Sequence, residues 1–320
     1  MTDTKFFRSQ NDSYWDTYLA ARPKYHTSNF YNRVLSYHRN HGNGAFNLAH
    51  DIACGPGQVA ISLANHFSHV VASDANAGHV KITSARMTAS QREKSSFVVA
   101  LGEDIVLHTK PATVDFMSCA EAIALMDMPR YLEAAKTVLK PGGTLALWFY
   151  GRPHFLNGAG ELNSKINKAY GELADHLFGF LVKGNEDAWL KPTQNMHCWF
   201  DNLAIGEEDW SDVQRSKINF DCEMSFYSAD LGGLDPSIVS LGIGSHENVS
   251  SEIDRSFWGE RWTLDEILRF IKVNMPMFDP EKFEDDEYHR LCTELEITMG
   301  GPGARVDVCW PVLVVLAAKK

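Results

Sequence analysis

The sequence predicts an α/β fold built on a mostly parallel sheet, and three observations support this. Between residues 46 and 150, apolar strand-like runs alternate with segments of helical spacing, as in successive right-handed βαβ units. A glycine-flanked corner, Gly55-Pro56-Gly57, joins the first of these strands to the first helix. After residue 150 the alternation stops, and the chain closes on a nearly continuous apolar run at residues 306–317, which is typical of a buried strand.

The elements of the first half follow from their local patterns. A helix is predicted at residues 29–39, where Thr27 and Ser28 are capping residues. Strands are predicted at residues 46–53, 69–74, 96–101, 113–119 and 144–150. Helices are predicted between them at residues 58–67, 76–87 and 129–139, the last with Pro129 in its first turn.

The second half reads as insertions around one further strand. Helices are predicted at residues 160–183, 261–271 and 281–295, a sixth strand at 212–220, and loops over 221–250. The predicted organisation is an N-terminal lid segment (1–26), a nucleotide-binding core (27–150), a helical cap with substrate-binding insertions around the sixth strand (151–304) and a closing core strand (305–320).

Composition excludes several classes of protein. The chain has 320 residues, is 44% apolar and carries a formal net charge of −11, which argues against nonspecific nucleic-acid binding and against an anionic membrane surface. The six cysteines are scattered without a CxxC pair, so we expect reduced thiols and no metal site. There is no apolar signal region near Met1, and the expected location is cytoplasmic.

The glycine corner indicates a nucleotide site. A strand that turns on glycines into a helix places free backbone N–H groups at one point, and it lets a ligand approach main chain that lacks a Cβ. Gly55-x-Gly57-x-x-Ala60 satisfies the loose dinucleotide fingerprint, and Asp74 follows the second strand where an acid would hold ribose hydroxyls. These residues alone leave the choice of nucleotide open.

Further motifs resemble a known family. The chain has Asp51-x-x-Cys54-Gly-Pro-Gly57 at the corner and Leu139-Lys-Pro-Gly-Gly143 before the fifth strand, and it ends on a strand instead of a second nucleotide-binding half. Over residues 46–150 and the final strand it resembles the class I S-adenosylmethionine-dependent methyltransferases. The resemblance implies a Rossmann-like, mostly parallel seven-stranded sheet with an antiparallel last strand. S-adenosyl-L-methionine is then the implied cofactor and S-adenosyl-L-homocysteine its product.

Within that superfamily the chain is similar to the trans-aconitate methyltransferases and their fungal cantharidin-resistance relatives. The leader Tyr18-x-x-x-Arg22-Pro-x-Tyr25 and the ending Trp310-Pro-Val-Leu-Val carry this similarity. The branch has His-Trp-Phe before an Asp after the fourth strand, whereas this chain has Ala-Leu-Met before Asp127.

The resemblance implies a set of cofactor contacts. Tyr18, Arg22 and Tyr25 would close the pocket, with Arg22 on the cofactor carboxylate. Asp51 would hold the turn and the amino end, and Asp74 both ribose hydroxyls. The remaining implied contacts are Ala53, Gly55 and Gly57 at methionine and ribose, Ala75 and Asn76 beside adenine, Gly102, Glu103 and Asp104 at its amino edge, and Ala120 near the sulfonium.

The catalytic and substrate candidates follow the carboxyl ends of the fourth and fifth strands, or lie in the cap. Glu121 is a candidate base or charge partner, and His154 a candidate base or carboxylate ligand. The substrate candidates are Trp148, Tyr150, Arg152, His197, Trp258, Arg261 and Trp262.

The predicted function is methyl transfer to an oxygen, a carboxylate or a hydroxyl, of a small organic molecule, by a monomer or homodimer without nucleic-acid or membrane partners. Two alternatives remain open at this point. One is a non-methylating relative, such as a cyclase or a cofactor-binding regulatory protein. The other is an NAD-dependent oxidoreductase.

Overall fold

The protein is described by a computed structural model that covers residues 12–23, 28–183, 185–231, 233, 241–275 and 278–320. Within them the helices are α1 (Asp12–Ala21), α2 (Ser28–Asn40), α3 (Gln58–Leu63), α4 (Ala77–Arg86), α5 (Ala89–Glu93), α6 (Met128–Val138), α7 (Ser164–Val182), α8 (Glu186–His197), α9 (Leu264–Val273), α10 (Pro280–Phe283) and α11 (Asp286–Met299). A 3-10 helix spans Gly102–Leu107.

The strands lie in two sheets. They are β1 (Leu48–Ile52), β2 (His69–Asp74), β3 (Ser95–Val99), β4 (Val114–Ala120), β5 (Leu139–Tyr150), β6 (His154–Leu156), β7 (Trp210–Ile218), β8 (Asn248–Glu252), β9 (Glu260–Trp262), β10 (Val306–Cys309) and β11 (Val312–Lys319). The large sheet has the order β3-β2-β1-β4-β5-β11-β7-β8, and a small antiparallel sheet has the order β6-β10-β9.

The large sheet confirms the predicted fold class. Strands β1 to β5 are parallel neighbours, and β11 runs antiparallel between β5 and β7. The described sheet has eight strands where the sequence predicts seven, because β8 pairs in parallel with β7 at the edge. This short strand is exposed at every position and has one apolar residue, Val249, so it lacks the apolar pattern that marks the buried strands.

The cap and the chain's last strand differ from the prediction at several places. Helix α8 and strand β6 were not predicted, and α7 begins at Ser164 where the prediction began at residue 160. The predicted closing strand 306–317 is divided into β10 in the small sheet and β11 in the large one. The predicted helix 261–271 begins only at Leu264, because Glu260–Trp262 pairs with β10 as strand β9. Thr263 is the N-cap of α9 and forms a capping box with Glu266.

The topology brings the predicted cofactor residues to one edge of the sheet. Strands β1, β2, β4 and β5 are parallel, so their carboxyl ends at Ile52, Asp74, Ala120 and Tyr150 meet at that edge. Helix α1, which we call the lid helix, lies against this region through contacts with α4 and α9. No helix within the described ranges is long and apolar enough to cross a membrane.

Candidate active site

The corner between β1 and α3 is held in a left-handed backbone conformation. Ala53, Gly55 and Gly57 have φ values of 54°, 51° and 90°. The Gly57 N–H donates to the Cys54 carbonyl at 2.9 Å, and the Thr83 hydroxyl donates to the Gly55 carbonyl at 2.7 Å. A Cβ on Gly57 would lie 2.9 Å from Thr83 Cγ2, whereas a Cβ on Gly55 would meet no atom of the described residues within 4 Å. Within this part of the chain the Gly55 main chain therefore faces open space, as a close ligand requires.

Asp74 lies at the end of β2 and supports this corner. Its Oδ2 accepts the Gly55 N–H at 3.0 Å, and its Oδ1 accepts the Asn76 N–H at 2.8 Å. His79 Nδ1 lies 3.1 Å from the same Oδ2. The Asn76 side chain caps α4 by accepting from Gly78 N–H at 2.8 Å. The carboxylate of Asp74 is thus fixed by main chain, and its residue is 8% exposed.

Asp51 is a buried carboxyl group on β1. It pairs in register with Ser118 of β4, whose hydroxyl donates to Asp51 Oδ1 at 2.8 Å. The other oxygen, Oδ2, is buried without a hydrogen bond of normal geometry among the described residues. Burial, together with the nearby charge of Asp74, raises the pKa of Asp51 to about 7, and the Ser118 hydroxyl opposes that rise. The site therefore contains a carboxyl group that a cationic ligand would stabilise in its ionised form.

Glu121 follows Ala120 at the end of β4 in a backbone conformation that is uncommon for a non-glycine residue, with φ of 62°. Its N–H donates to the Trp148 carbonyl at 3.0 Å, and its Oε1 accepts the Tyr150 N–H at 2.6 Å. Burial raises the pKa of the Glu121 carboxyl well above its usual range, and the positive charge of Arg22 opposes that rise. Main-chain strain of this kind is concentrated at functional sites.

Arg22 reaches the same place from the lid side. Its Nη1 donates to the Tyr150 hydroxyl at 2.7 Å, and its guanidinium lies 4.3 Å from the centre of the Tyr18 ring. Burial lowers the pKa of Arg22, but Tyr150, Tyr18 and Glu121 outweigh burial and raise it. Arg22 and Tyr150, which are buried, and Tyr18 and Glu121, which are half-buried, therefore form one polar cluster, which we call the lid cluster.

The predicted adenine-side residues lie at the start of the 3-10 helix. Gly102 is buried, and a Cβ there would lie 2.9 Å from Ile52 at the end of β1. Glu103 Oε1 accepts the Asp127 N–H at 2.8 Å, and Asp104 pairs with Arg130 at 3.0 Å. Gly102 is thus packed against the end of β1, while both acids have protein partners on the surface.

A second polar cluster lies where the chain leaves β5. Arg152 Nη2 pairs with Glu223 at 2.6 Å, and His154 Nε2 contacts the Glu223 carbonyl at 2.9 Å. Burial, and then the charge of Arg152, lowers the pKa of His154 to about 4, so the ring is neutral near pH 7. Arg152 Nε, the Tyr170 hydroxyl and His197 Nε2 are buried without hydrogen-bond partners in the part of the chain that the structure describes. We call Arg152, Tyr170, His197 and Glu223 the cap cluster.

The predicted aromatic contacts separate into two groups. Trp258, with φ of 55°, has its ring centre 6.4 Å from that of Tyr150 and 5.1 Å from that of Phe30. Trp148 is fully buried and packs on Phe30 at 5.2 Å. Trp258 therefore packs against Tyr150 of the lid cluster, and Phe30 lies between Trp258 and Trp148.

Arg261 and Trp262 lie on the small sheet. Arg261 is exposed and pairs with Asp307 on β10 at 3.0 Å. Trp262 is 4% exposed and packs on Trp310 with ring centres 5.3 Å apart. Among the described residues no recorded contact links Arg261 to the lid cluster. Tyr25 lies outside the described residues.

Several site residues were not predicted from the sequence. Ser118 holds Asp51, Thr83 holds the glycine corner, and His79 contacts Asp74. The Ser118 contact depends on the pairing register of two parallel strands, which a single sequence does not give. His79 carries a weak signal, since it lies in the first turn of the helix that follows the predicted ribose acid.

The similarity to known proteins agrees with this geometry. The methyltransferase domain family matches residues 49–143. Methyltransferase pgmE of Aspergillus terreus is 34% identical over 317 residues, covering 96% of this chain and 94% of that protein. Methyltransferase cfoB of Aspergillus candidus is 34% identical and covers 98% of this chain and 97% of that protein. The chain belongs to the class I S-adenosylmethionine-dependent methyltransferases.

A solved structure from Anaeromyxobacter dehalogenans, assigned as a type II methyltransferase, has the same fold. It superposes with a TM-score of 0.51 at 16% identity, over 89% of this methyltransferase and 94% of that chain. The family uses S-adenosylmethionine, so the NAD-dependent oxidoreductase alternative is set aside.

The residues present fit that cofactor. Among the residues that the structure describes, Gly55 leaves open space beside main chain, Asp74 offers a fixed carboxylate for hydroxyl groups, and Asp51 Oδ2 is a buried acceptor without a normal hydrogen bond. A nucleoside with an attached ammonium group matches all three features. Among the described residues, no group of three or more His, Cys, Asp or Glu side chains is arranged to hold a metal ion.

Proposed function

We propose that this methyltransferase transfers a methyl group to an oxygen, a hydroxyl or a carboxylate, of a small organic molecule. The observation that carries the proposal is the lid cluster, in which the half-buried Glu121 carboxyl and the buried Arg22 guanidinium both bond to Tyr150 at the end of β5. A developing or existing oxygen anion is stabilised by such a guanidinium, so the proposal assigns Arg22 to the acceptor instead of the cofactor carboxylate that the resemblance implies.

Asp74 would bind the ribose hydroxyls of the cofactor, and Asp51 would bind its amino group. The Gly55 main chain would contact the part of the cofactor between them. When bound, S-adenosylmethionine supplies a methyl group on a positively charged sulfur. The protein's contribution is then alignment, exclusion of water and management of one proton.

The two acceptor types would use the lid cluster differently. A hydroxyl acceptor must lose its proton, and the Glu121 carboxylate can accept it because burial raises its pKa. A carboxylate acceptor is already ionised near neutral pH, so it needs only the guanidinium of Arg22 and correct placement. An amine acceptor is less suited, because its methylated product is a cation beside Arg22.

The cap cluster supports an oxygen-bearing acceptor. Arg152, Tyr170 and His197 offer buried polar atoms without partners in the described structure, and such groups are costly unless something bonds to them. Arg152 follows Tyr150 of the lid cluster by two residues, and we propose that a second oxygen function of the acceptor binds at Arg152.

The test is methyl transfer from tritiated S-adenosylmethionine to matched phenols, aliphatic alcohols, carboxylic acids, amines and thiols, with product structure determined by mass spectrometry. Methyl ethers or methyl esters are the expected products. Methylation confined to amines, thiols or carbon would contradict the proposal. Cofactor binding without any methylated product would instead favour the non-methylating alternative.

Glu121→Gln then separates the two acceptor types. Glutamine keeps an oxygen for the Tyr150 N–H but cannot accept the proton. With a hydroxyl acceptor kcat should fall by about 10²–10⁴, and with a carboxylate acceptor it should change little. Glu133→Gln, an exposed acid paired with Lys136, is the matched control and should leave kcat unchanged.

A further inference from the structure

Helix α4 presents two side chains to the lid helix from one face. His79 and Arg86 are seven residues apart, which places them two turns apart on the same side of α4. Arg86 pairs with Asp16 at 3.0 Å. The His79 ring meets the Trp15 ring edge-to-face, with centres 4.9 Å apart and planes at 89°. Both partners, Asp16 and Trp15, belong to the lid helix.

His79 differs from Arg86 because it also contacts the predicted ribose carboxylate. Its Nδ1 lies 3.1 Å from Asp74 Oδ2, and both side chains are about nine-tenths buried. That same oxygen accepts the Gly55 N–H of the glycine corner. His79 thus lies between the carboxylate on one side and the lid helix on the other.

The contacts continue from Trp15 to the lid cluster. The Trp15 and Tyr18 rings meet edge-to-face at 5.5 Å, and the Arg22 guanidinium lies 4.3 Å from the Tyr18 ring centre. Arg22 then donates to the Tyr150 hydroxyl at 2.7 Å. The position of the lid helix therefore decides whether Arg22 reaches the end of β5.

We propose that His79 is a positioning residue that couples nucleoside binding at Asp74 to docking of the lid helix, and thereby to the placement of Arg22 beside the acceptor. The inference rests on the proposed function, since it assigns the ribose to Asp74. Hydroxyl groups bonded to Asp74 would further stabilise the carboxylate orientation that the Gly55 and Asn76 N–H groups set. The His79 ring, which lies between that carboxylate and Trp15, would be stabilised in its place with it. Coupling between binding events is reciprocal, so lid docking strengthens nucleoside binding by the same factor.

The experiment measures hydrogen exchange of the lid-helix amides by mass spectrometry, with and without saturating S-adenosylhomocysteine. Saturation is established for each variant by calorimetry. Two His79 variants divide its contacts: His79→Phe keeps a ring against Trp15 and removes the nitrogen near Asp74, and His79→Asn keeps a polar group and removes the ring. Arg86→Gln is the matched control, because it breaks the other α4–lid contact without touching Asp74.

In the unaltered protein, S-adenosylhomocysteine should slow exchange of the lid helix about tenfold, a usual size for coupling between sites. In both His79 variants S-adenosylhomocysteine should slow exchange of the lid helix less than about twofold, even at saturation. The affinity for S-adenosylhomocysteine should fall by the same factor by which the slowing is reduced. In Arg86→Gln the lid-helix amides should exchange faster both with and without S-adenosylhomocysteine, and the ratio of the two exchange rates should equal that of the unaltered protein. The KM for the acceptor should rise in the His79 variants because Arg22 is less often in place.

Two results would overturn the inference. One is a ligand-induced slowing that survives in both His79 variants. The other is an unaltered protein that binds S-adenosylhomocysteine with no change in lid exchange. Failure of the unaltered protein to bind S-adenosylhomocysteine at all would instead reject the proposed function, and the coupling with it.

Discussion

At the scale of single residues, two aspartates on neighbouring strands have different surroundings. Asp74 at the end of β2 accepts two main-chain N–H groups, whereas Asp51 within β1 is bonded mainly to one hydroxyl. Asp74 was predictable from its place after the second strand. The sequence also singled out Asp51, but its burial and its Ser118 partner depend on how β1 and β4 align, which no local pattern specifies.

The pKa of Asp51 predicts a pH-dependent stability. Its pKa is about 7 in the folded protein against a usual value of 3.8, so the folded state retains a proton that the unfolded state has lost between these values. The stability that this proton contributes is fully present below pH 3.8 and is lost as pH rises toward 7. The free energy of unfolding of Asp51→Asn should therefore rise relative to that of the unaltered protein by about 1.4 kcal/mol for each pH unit between 3.8 and 7.

Urea unfolding of the ligand-free protein at pH 5 and pH 7 measures this difference. The advantage of Asp51→Asn should be larger at pH 7 by about 2–3 kcal/mol. An advantage that is equal at both pH values would show that Asp51 is ionised throughout.

Asp74→Asn tests the ribose contact. Asparagine keeps an oxygen for a main-chain N–H but loses the charge, and a hydrogen bond to a charged group contributes about 1.5–3 kcal/mol. S-adenosylhomocysteine should therefore bind about 10- to 100-fold more weakly by calorimetry, and Tm should also fall because one of the two main-chain N–H groups loses its acceptor oxygen. Asp209→Asn, an acid paired with Lys136, is the control and should bind normally. If Asp74→Asn bound S-adenosylhomocysteine as tightly as the unaltered protein does, Asp74 would not contact the ligand.

At the scale of elements, the corner between β1 and α3 and the exit from β5 position the chemistry. The corner was predictable because two glycines between a strand and a helix permit a left-handed turn and the close approach of a ligand to main chain. The small sheet β6-β10-β9 could not be predicted, because strands of three or four residues are too short to show a recognisable apolar pattern. Pairing with β10 converts the start of a predicted helix at Glu260–Trp262 into a strand.

The two glycines of the corner should respond differently to alanine. Both alanine substitutions should lower the free energy of unfolding by about 1–2 kcal/mol, because alanine is strained in the left-handed backbone conformation. Gly57→Ala adds a contact of 2.9 Å with Thr83, so its Tm should fall further than that of Gly55→Ala. Gly55→Ala places its methyl group where the cofactor is expected and should mainly weaken S-adenosylhomocysteine binding. Equal Tm values together with unchanged affinity would contradict this division.

The cap cluster makes a separate prediction about the acceptor. Arg152→Gln removes the positive charge beside Glu223 and the buried Nε donor. The KM for an oxygen-bearing acceptor should rise about tenfold or more, while S-adenosylhomocysteine affinity stays within about twofold of normal. Steady-state kinetics and calorimetry on the same sample check both. An unchanged KM would place the acceptor away from this cluster.

At the scale of the whole molecule, the alternation of strands and helices over residues 46–150 was enough to predict the parallel sheet and the edge at which the site lies. The lid was only partly predictable. Aromatic residues near the start of the chain indicated a covering segment, but the contacts from Trp15 to His79 and from Arg22 to Tyr150 join residues 64 and 128 positions apart. Pairings of that range follow from the folded arrangement and not from local pattern.

A crystal structure with S-adenosylhomocysteine bound is the measurement that tests the central claim most directly. The account predicts ribose hydroxyls on Asp74, the amino group toward Asp51, and the sulfur facing the lid cluster of Arg22, Tyr18, Tyr150 and Glu121. A ligand bound with its sulfur turned away from that cluster, or bound elsewhere on the protein, would contradict it.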